Sequence, residues 1–358
     1  MKVPLSKPLI GEEEINAVTE VLRSGNLSLG QKLPEFEKRF AKFIGSKHAV
    51  AVSNGTCGLH LCMKLLDLKE GDEVITTPFS FISSANCILY EKAKPVFVDI
   101  KESDFNMDED KIEEAITDKT KAILVVHIFG QPANMNKIMQ IAEKHNLKVI
   151  EDSCEAIGSE YNGKKIGSVN PSVFAFYPNK QITTGEGGII TLNDDEQAKL
   201  LKSLRNQGRS ESNNWLEHDV LGYNYRLNEM SCAIGIEQMK KIDNILEKRK
   251  EKAKRYNELL KDLVICPEFN EDKSWFVYVI RVNNRDEVMA KLLEKGINCK
   301  PYLPAIHLQP VYRKLGYKEG DFPVCEKVSN STLALPFFTE ILEKEMTYVY
   351  ETLKEVLE

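Results

Sequence analysis

Short apolar runs rich in β-branched residues alternate with helix-spaced apolar patterns through the first half of the chain. The apolar runs are 49–52, 74–76, 95–98, 122–126 and 149–150. Helical patterns follow the first four of them, at 59–66, 84–89, 112–116 and 138–142. Strand-length runs that alternate with helices are typical of an α/β fold. The pattern therefore predicts a doubly wound, mainly parallel sheet.

The second half of the chain has a different pattern. Helical patterns occur at 229–260, 285–295 and 341–357, and one strand-like run occurs at 275–280. A chain of 358 residues is long for a single hydrophobic core. We therefore predict a large cofactor-binding domain of residues 1–245, with an N-terminal arm, and a smaller C-terminal α+β domain of residues 246–358.

The composition of the chain argues against nucleic acid and membrane surfaces as partners. Acidic and basic residues are mixed along the chain and the net charge is −6, so no basic stripe is present to bind nucleic acid or a membrane surface. No signal peptide and no apolar run of about 20 residues occurs, which predicts a cytoplasmic protein. The eight cysteines lie mostly in apolar segments without a CxxC pair, so we expect reduced packing residues and no metal site.

One lysine lies in a setting unusual for a surface charge. Lys180 follows Pro178 and precedes Gly185, Gly187 and Gly188, between two strand-like runs. Proline stiffens the approach to the lysine, and the glycines let main chain or ligand come close. Most lysines are solvated surface charges, so a reactive role for Lys180 needs support from other residues.

Two further candidates follow predicted strands, where α/β sheets bind their ligands. The segment 53–56 opens a helix, so its backbone N–H groups and the Thr56 hydroxyl could hold a phosphate; the alternative is an ordinary helix cap. Asp152 ends another run, and a carboxylate buried there needs a cationic or hydrogen-bonding partner. A protonated pyridine nitrogen is such a partner, and capping of the next segment is the alternative.

An aromatic side chain completes the group. Phe81 lies just after the run 74–76, and its ring could stack on a planar cofactor; a place in the core is the alternative. A phosphate cradle, a carboxylate, a stacking ring and a lysine together indicate a site for pyridoxal 5'-phosphate, which binds lysine as a Schiff base. This combination is more specific than any of its members.

With these residues in place, the sequence resembles the DegT/DnrJ-type nucleotide-sugar aminotransferases, which are fold-type I pyridoxal-phosphate enzymes, over nearly its whole length. The resemblance lies in 53–61, 71–86, 127–132, 151–158, 174–192, 222–229 and 307–310. It implies that Lys180 forms the Schiff base and transfers the proton, and that Asp152 pairs with the pyridine nitrogen. It also implies that Gly55 and Thr56 bind the phosphate and that Phe81 stacks on the ring.

The resemblance implies two more cofactor contacts. Glu155 lies where members often have Gln, Glu or His near the cofactor's hydroxyl group. Asn224 matches the residue that reaches the phosphate of the neighbouring subunit, so the resemblance implies a homodimer with shared active sites.

The sequence departs from the family at two positions. Members commonly have a phosphate-binding serine five residues before the lysine, where this chain has Ala175. One charge-assisted hydrogen bond of about 1.5 to 3 kcal/mol is then either missing or supplied from elsewhere. Members also often have an aromatic residue near the sugar where Asn26 stands.

Three other residues are candidates for substrate contact. Tyr177 and Glu186 flank the lysine and could line the substrate pocket, with packing as the alternative. His307 could contact the sugar or its pyrophosphate, with a structural role as the alternative.

The resemblance predicts transfer of an amino group from an amino acid, glutamate in the family, to a keto group of a nucleotide-linked deoxysugar. The segment 179–188 looks most like perosamine-synthase-like 4-aminotransferases, although reaction at the sugar's C3 carbon stays open. One alternative is a pyridoxal-phosphate-dependent sugar dehydratase, but those members have histidine in place of Lys180. The other is a non-catalytic regulator that retains the fold, against which Lys180 and Asp152 both argue.

Overall fold

The computed structural model describes residues 1–210 and 216–358. Its helices and strands, in chain order, are α1 (Glu12–Ser24), α2 (Lys32–Ile44), β1 (His48–Val52), α3 (Gly55–Leu65), β2 (Glu73–Thr76), α4 (Ser83–Tyr90), β3 (Lys94–Phe97), β4 (Thr120–Val126), α5 (Met135–Lys144), β5 (Lys148–Asp152), β6 (Glu160–Tyr161), β7 (Lys164–Lys165), β8 (Ser172–Ala175), β9 (Gly188–Leu192), α6 (Asp195–Arg205), α7 (Glu229–Leu260), β10 (Tyr278–Arg281), α8 (Arg285–Glu294), α9 (Pro310–Arg313), α10 (Pro323–Ser331), β11 (Thr332–Leu335) and α11 (Glu343–Leu357).

A seven-stranded sheet forms the centre of the fold, in the order β1-β9-β8-β5-β4-β2-β3. Strands β8, β5, β4, β2 and β3 run parallel, and β9 is antiparallel to both of its neighbours. Alternate residues of β1 enter different cores, because Val50 and Val52 pack with α3 and α6 while Ala49 and Ala51 pack with α2 and α7. The predicted doubly wound, mainly parallel sheet is therefore confirmed.

Two sequence-based elements differ in the structure. The helix predicted at 112–116 is replaced by two short 3₁₀ turns, Glu109–Lys111 and Glu113–Ala115. Ile112 is the one fully buried side chain among 112–116, which leaves little packing to stabilise a longer helix. The strand predicted at 275–280 begins only at Tyr278, because a side chain of α7 binds the preceding main-chain carbonyls.

The long helix α7 contributes to two hydrophobic cores. Ile236, Ile242 and Ile245 pack beside the large sheet, whereas Ala253 and Tyr256 pack in a second core around β10, β11, α8 and α11. The predicted boundary after residue 245 lies inside this helix, between the two sets. The division into two domains stays a prediction.

None of the described helices combines the length and the hydrophobicity needed to span a membrane. All eight cysteines are free thiols. Both the end of β1 and the end of β5 lie at one edge of the sheet, together with the start of β9. Gly55, Asp152 and the turn that carries Lys180 adjoin this edge.

Candidate active site

Lys180 lies in the turn that connects β8 to β9. Its backbone N–H donates to the Tyr177 carbonyl (2.9 Å), which closes the turn. Its side chain is only 13% exposed, and Nζ lies 3.6 Å from Glu155 Oε1. On another side, Nζ lies 3.9 Å from the centre of the Phe276 ring, a cation–π contact. The amine is thus held in a partly desolvated position instead of on a solvated surface.

Asp152 is a buried carboxylate at the end of β5. The Ser84 hydroxyl donates to Oδ2 (2.7 Å) and the Cys154 backbone N–H donates to Oδ1 (3.1 Å). Within 1–210 and 216–358, no lysine, arginine or histidine forms an ion pair with it. A buried carboxylate without a cation is expensive, so the position favours a ligand that brings positive charge.

Glu155 lies between Lys180 and the main chain of Phe129. The Phe129 N–H donates to Glu155 Oε2 (2.8 Å), and Phe129 adopts a left-handed conformation with φ of 54° to do so. Burial raises the pKa of the Glu155 carboxyl, while the nearby Lys180 ammonium and the Phe129 N–H oppose the rise. The carboxyl is therefore a group whose charge responds to the state of Lys180.

The start of α3 forms a compact cradle against the ends of β8 and β9. The Asn54 side chain accepts from the Cys57 N–H (2.9 Å) and so caps the helix, while the phosphate-binding role of segment 53–56 stays a prediction. A Cβ on Gly55 would stand 2.9 Å from the Ala175 Cβ, and a Cβ on Gly188 would stand 2.6 Å from the main chain of Asn54. The two glycines let the helix start approach the strand ends. Its N–H groups and positive dipole remain available to an anion.

Phe81 is exposed, as a stacking role requires. Its side chain is 63% accessible, whereas Phe79 is fully buried and fills the core position that was the alternative for Phe81. Phe79 packs edge-on against Phe105 and Phe129. The ring of Phe81 is therefore free to cover a planar ligand.

Asn224 lies in an exposed segment beside the cradle. The Ser53 N–H donates to the Tyr225 carbonyl (2.8 Å), which ties this segment to the end of β1. The Tyr225 hydroxyl is hydrogen-bonded to His60 Nδ1 (3.0 Å), and His60 Nε2 to Glu91 (2.8 Å). These contacts fix the backbone around Asn224 while its side chain stays at the surface.

The weaker candidates separate into two groups. Asn26, Tyr177 and Glu186 are exposed, and so are available to a substrate. His307 is fully buried, and its Nε2 is hydrogen-bonded to Glu326 Oε1 at 2.9 Å. This environment favours the structural alternative for His307, and its contact with a sugar stays a prediction.

Sequence reasoning missed three residues of the site: Ser83, Ser84 and Phe276. The serines are the first two residues of α4, directly after the loop of Phe81, and their position soon after the run at 74–76 was a usable signal. Phe276 lies far along the chain and carries no motif. It is positioned by Arg249, which donates from Nε to the Trp275 carbonyl (3.0 Å) and from Nη2 to the Phe276 carbonyl (2.7 Å).

Pyridoxal phosphate fits this arrangement on two observations. Asp152 is buried and has no cationic partner among the described residues, which a protonated ring nitrogen would provide. The cradle brings the positive end of α3 against a strand edge where an added Cβ would clash, which suits a phosphate. Lys180 lies at the same edge, and its amine could react with an aldehyde.

Comparisons with known proteins agree with this geometry. The profile of the DegT/DnrJ/EryC1/StrS aminotransferase family matches residues 8–354. A pleiotropic regulatory protein of Geobacillus stearothermophilus is 41% identical over 96% of this chain and 94% of its own. GDP-perosamine synthase of Caulobacter vibrioides is 36% identical over 99% of this chain and 98% of its own. The solved PLP form of a putative sugar aminotransferase from Streptococcus pneumoniae is 27% identical, with a TM-score of 0.96 over 100% of this chain and 99% of that one.

Proposed function

The chain belongs to the DegT/DnrJ/EryC1/StrS aminotransferase family and is a pyridoxal-phosphate-dependent sugar aminotransferase; we propose that it takes the amino group from glutamate and transfers it to a nucleotide-linked deoxysugar. The observation that carries the proposal is the partly desolvated amine of Lys180, at the same sheet edge as the buried carboxylate of Asp152. The likeness to GDP-perosamine synthase supports reaction at the C4 keto group of the sugar.

Each charged residue of the site has a separate role in the proposed reaction. Bound pyridoxal phosphate supplies an electron sink that makes the α-proton of the amino acid acidic. Lys180 Nζ would take that proton from the α-carbon and deliver it to the aldehyde carbon of the cofactor, and in the second half-reaction it would move a proton in the opposite direction. Asp152 holds a proton on the ring nitrogen through a charge-assisted hydrogen bond. Glu155 lies beside the amine and responds to its charge.

The remaining side chains bind and orient. Gly55 and Thr56 hold the phosphate at the start of α3, and Phe81 covers one face of the ring. Tyr177 and Glu186, which are exposed on either side of Lys180, contact the sugar. Asn26 contributes to the same surface.

The proposal is tested with ¹⁵N-labelled glutamate and a panel of nucleotide-linked 4-keto and 3-keto sugars. We expect ¹⁵N to appear in the sugar product, as read by mass spectrometry, and to appear with a 4-keto acceptor. Alanine as donor serves as the matched control for the glutamate assignment. Absence of transfer to every ketosugar, with the cofactor bound to Lys180, would contradict the sugar substrate while leaving the cofactor site intact.

Two alternative functions are not supported. The dehydratase members of the family have histidine in place of the lysine, whereas Lys180 is present here and only 13% exposed. A relative named as a regulatory protein is similar in sequence. An assembled catalytic pocket, with the lysine and the carboxylate both in place, argues that this chain is an enzyme.

We also propose that the enzyme is a homodimer whose active sites are shared. The support is the exposed position of Asn224 near the cradle and the apolar surface around it, where Leu221 is 87% exposed. A second copy of the chain would bury this surface and bring Asn224 to the partner's phosphate site. The eight free thiols fit a reducing compartment, so we place the enzyme in the cytoplasm.

The shared site is tested by mixing inactive Lys180→Ala subunits with impaired Asn224→Ala subunits. Lys180→Ala subunits and Asn224→Ala subunits, once exchange is verified by mass, should regain activity, because a hybrid dimer contains one site with both residues. Mixing Lys180→Ala with Asp152→Ala is the matched control and should give no recovery, since both residues belong to the same subunit's site. Exchanged Lys180→Ala and Asn224→Ala hybrids without activity would contradict the shared site.

A further inference from the structure

Ala175 stands where family members commonly have a phosphate-binding serine. Ala175 ends β8 and pairs with Gly188 of β9. Its Cβ lies against Gly55 at the start of the cradle. A hydroxyl at this position would have pointed into the cradle, and the methyl group of alanine leaves no donor there.

A different hydroxyl lies on the other side of the cradle. Ser83 is the first residue of α4, it is buried, and its Oγ lies 2.7 Å from Thr56 Oγ1. Thr56 in turn lies in the first turn of α3. Helix α4 thus brings a serine to the residue that the phosphate site is expected to use.

The two hydroxyl groups of Thr56 and Ser83 carry two protons, and only one of these protons has an acceptor within the pair. Each hydroxyl carries a single proton, so when one donates to the other, the second proton needs another acceptor. Neither the Thr56 hydroxyl nor the Ser83 hydroxyl has a second hydrogen bond in the described parts of the chain. Ser83 is buried and Thr56 is half-buried, and hydroxyl groups in such positions are normally satisfied, so the spare proton suits an acceptor on a ligand.

The neighbouring serine has a separate role. Ser84 Oγ donates to Asp152 Oδ2 at 2.7 Å, so it belongs to the ring end of the site. Two consecutive residues at the start of α4 therefore contact Thr56 and Asp152, one residue from each end of the proposed site.

We infer that the Ser83 hydroxyl binds the cofactor phosphate and takes the place of the hydroxyl that is absent at Ala175. The inference rests on the cofactor site of the proposed function but not on its sugar substrate. Serine at 83 and serine at 175 would then be alternative solutions to one requirement, a hydroxyl donor next to Thr56. A protein that had serine at both positions would gain little cofactor affinity from the second serine.

The test is a double-mutant cycle on cofactor affinity in the full-length protein. Pyridoxal 5'-phosphate is titrated into cofactor-free wild type, Ser83→Ala, Ala175→Ser and the double variant, with absorbance as the readout and no sugar present. We expect Ser83→Ala to weaken binding about tenfold or more, the loss of one hydrogen bond to a charged group. Ala175→Ser should change the wild type less than about threefold but should restore most of the affinity of Ser83→Ala.

Pyridoxal, which lacks the phosphate, separates a phosphate contact from general damage to the fold. Ser83→Ala should bind pyridoxal as the wild type does, and the ³¹P resonance of the bound cofactor should shift in this variant. Ser84→Ala is the matched control and should weaken pyridoxal and pyridoxal phosphate alike. Equal weakening of both ligands by Ser83→Ala, or the same effect of Ala175→Ser in both backgrounds, would overturn the inference. Failure of the wild type to bind the cofactor at all would instead contradict the proposed function.

Discussion

At the proposed phosphate end of the site, main-chain groups and small hydroxyls surround the start of α3, whereas at the proposed ring end three charged side chains lie together, two of them buried and one partly exposed. The proposed phosphate end comprises Gly55, Thr56 and the close contact of Gly55 with β8. The proposed ring end comprises Asp152 at the end of β5, Glu155 just after it and Lys180 in the turn after β8.

The two ends should differ in their tolerance of change. A hydroxyl or an N–H that is lost from a group of several donors removes about one hydrogen bond. A charge removed from a buried set leaves its neighbours without compensation, at a cost of about 3 to 5 kcal/mol. Substitutions should therefore weaken binding at the phosphate end and abolish chemistry at the ring end.

The largest effect is expected for Lys180→Ala. Transamination should fall by about 10³-fold or more, because proton transfer and attachment of the cofactor both depend on this amine. Borohydride reduction of the wild type should label a peptide that contains Lys180. Lys164→Ala, which changes an exposed lysine, is the control and should keep full activity. A label on any other lysine would refute the assignment.

Asp152→Asn should be the next most damaging change. The amide keeps the size of the side chain but not the charge that holds a proton on the ring nitrogen, so kcat should fall about a hundredfold or more. Cofactor affinity should fall much less than kcat. A variant with nearly normal kcat would show that the ring end does not depend on this charge, and the comparison between the two ends would lose its basis.

Thr56→Ala probes the phosphate end by the same logic. Cofactor affinity should fall about tenfold, while kcat at saturating cofactor should stay within about threefold of the wild type. Thr56→Ser keeps the hydroxyl and should bind the cofactor normally. The comparison would fail if Thr56→Ala lowered kcat at saturating cofactor as strongly as Asp152→Asn.

The smallest effect concerns stability at a lysine near the ring end. Lys273 is 8% exposed, and burial lowers its pKa to about 8 although Glu155 and Asp104 oppose the shift. Between this value and 10.5 the unfolded chain binds more protons than the folded one, so this group's contribution to stability rises with pH. Lys273→Met should therefore be more stable than the wild type at pH 7, by about 2 kcal/mol.

The advantage of Lys273→Met should shrink as the pH is raised toward 10. Denaturant unfolding at pH 7 and pH 10, with the cofactor concentration fixed, measures this difference. Lys164→Met, which replaces an exposed lysine, should show no such dependence on pH. A constant advantage of Lys273→Met at both pH values would show that the amine is not desolvated in the fold.

Much of the fold was predictable because the signal is local. Buried strands such as β4 contain an uninterrupted apolar run, here 122–126, and the bounds of the α7 helix matched its charged helical pattern from Glu229 to Leu260. Gly55, Asp152 and Lys180 were predictable as candidates because each follows or ends a strand-like run. Parallel strands then bring such positions to one edge of the sheet.

The features that the sequence did not predict depend on contacts between distant parts of the chain. Phe276 reaches Lys180 only because Arg249 fixes the carbonyls of Trp275 and Phe276, and no local pattern encodes that contact. The same interaction keeps residues 275–277 out of the predicted strand, which begins only at Tyr278. The helix predicted at 112–116 failed because periodicity says nothing about how much of a short segment finds a core to pack against.

The continuity of α7 affects how the protein unfolds. A helix that supplies Ile242 and Ile245 to one core and Ala253 and Tyr256 to the other couples their melting, since unfolding it through its middle withdraws apolar side chains from both cores. Neither part could be excised at residue 245 without cutting through hydrogen-bonded helix. The molecule should therefore behave as one cooperative unit in calorimetry, with a single transition where two separable modules would give two.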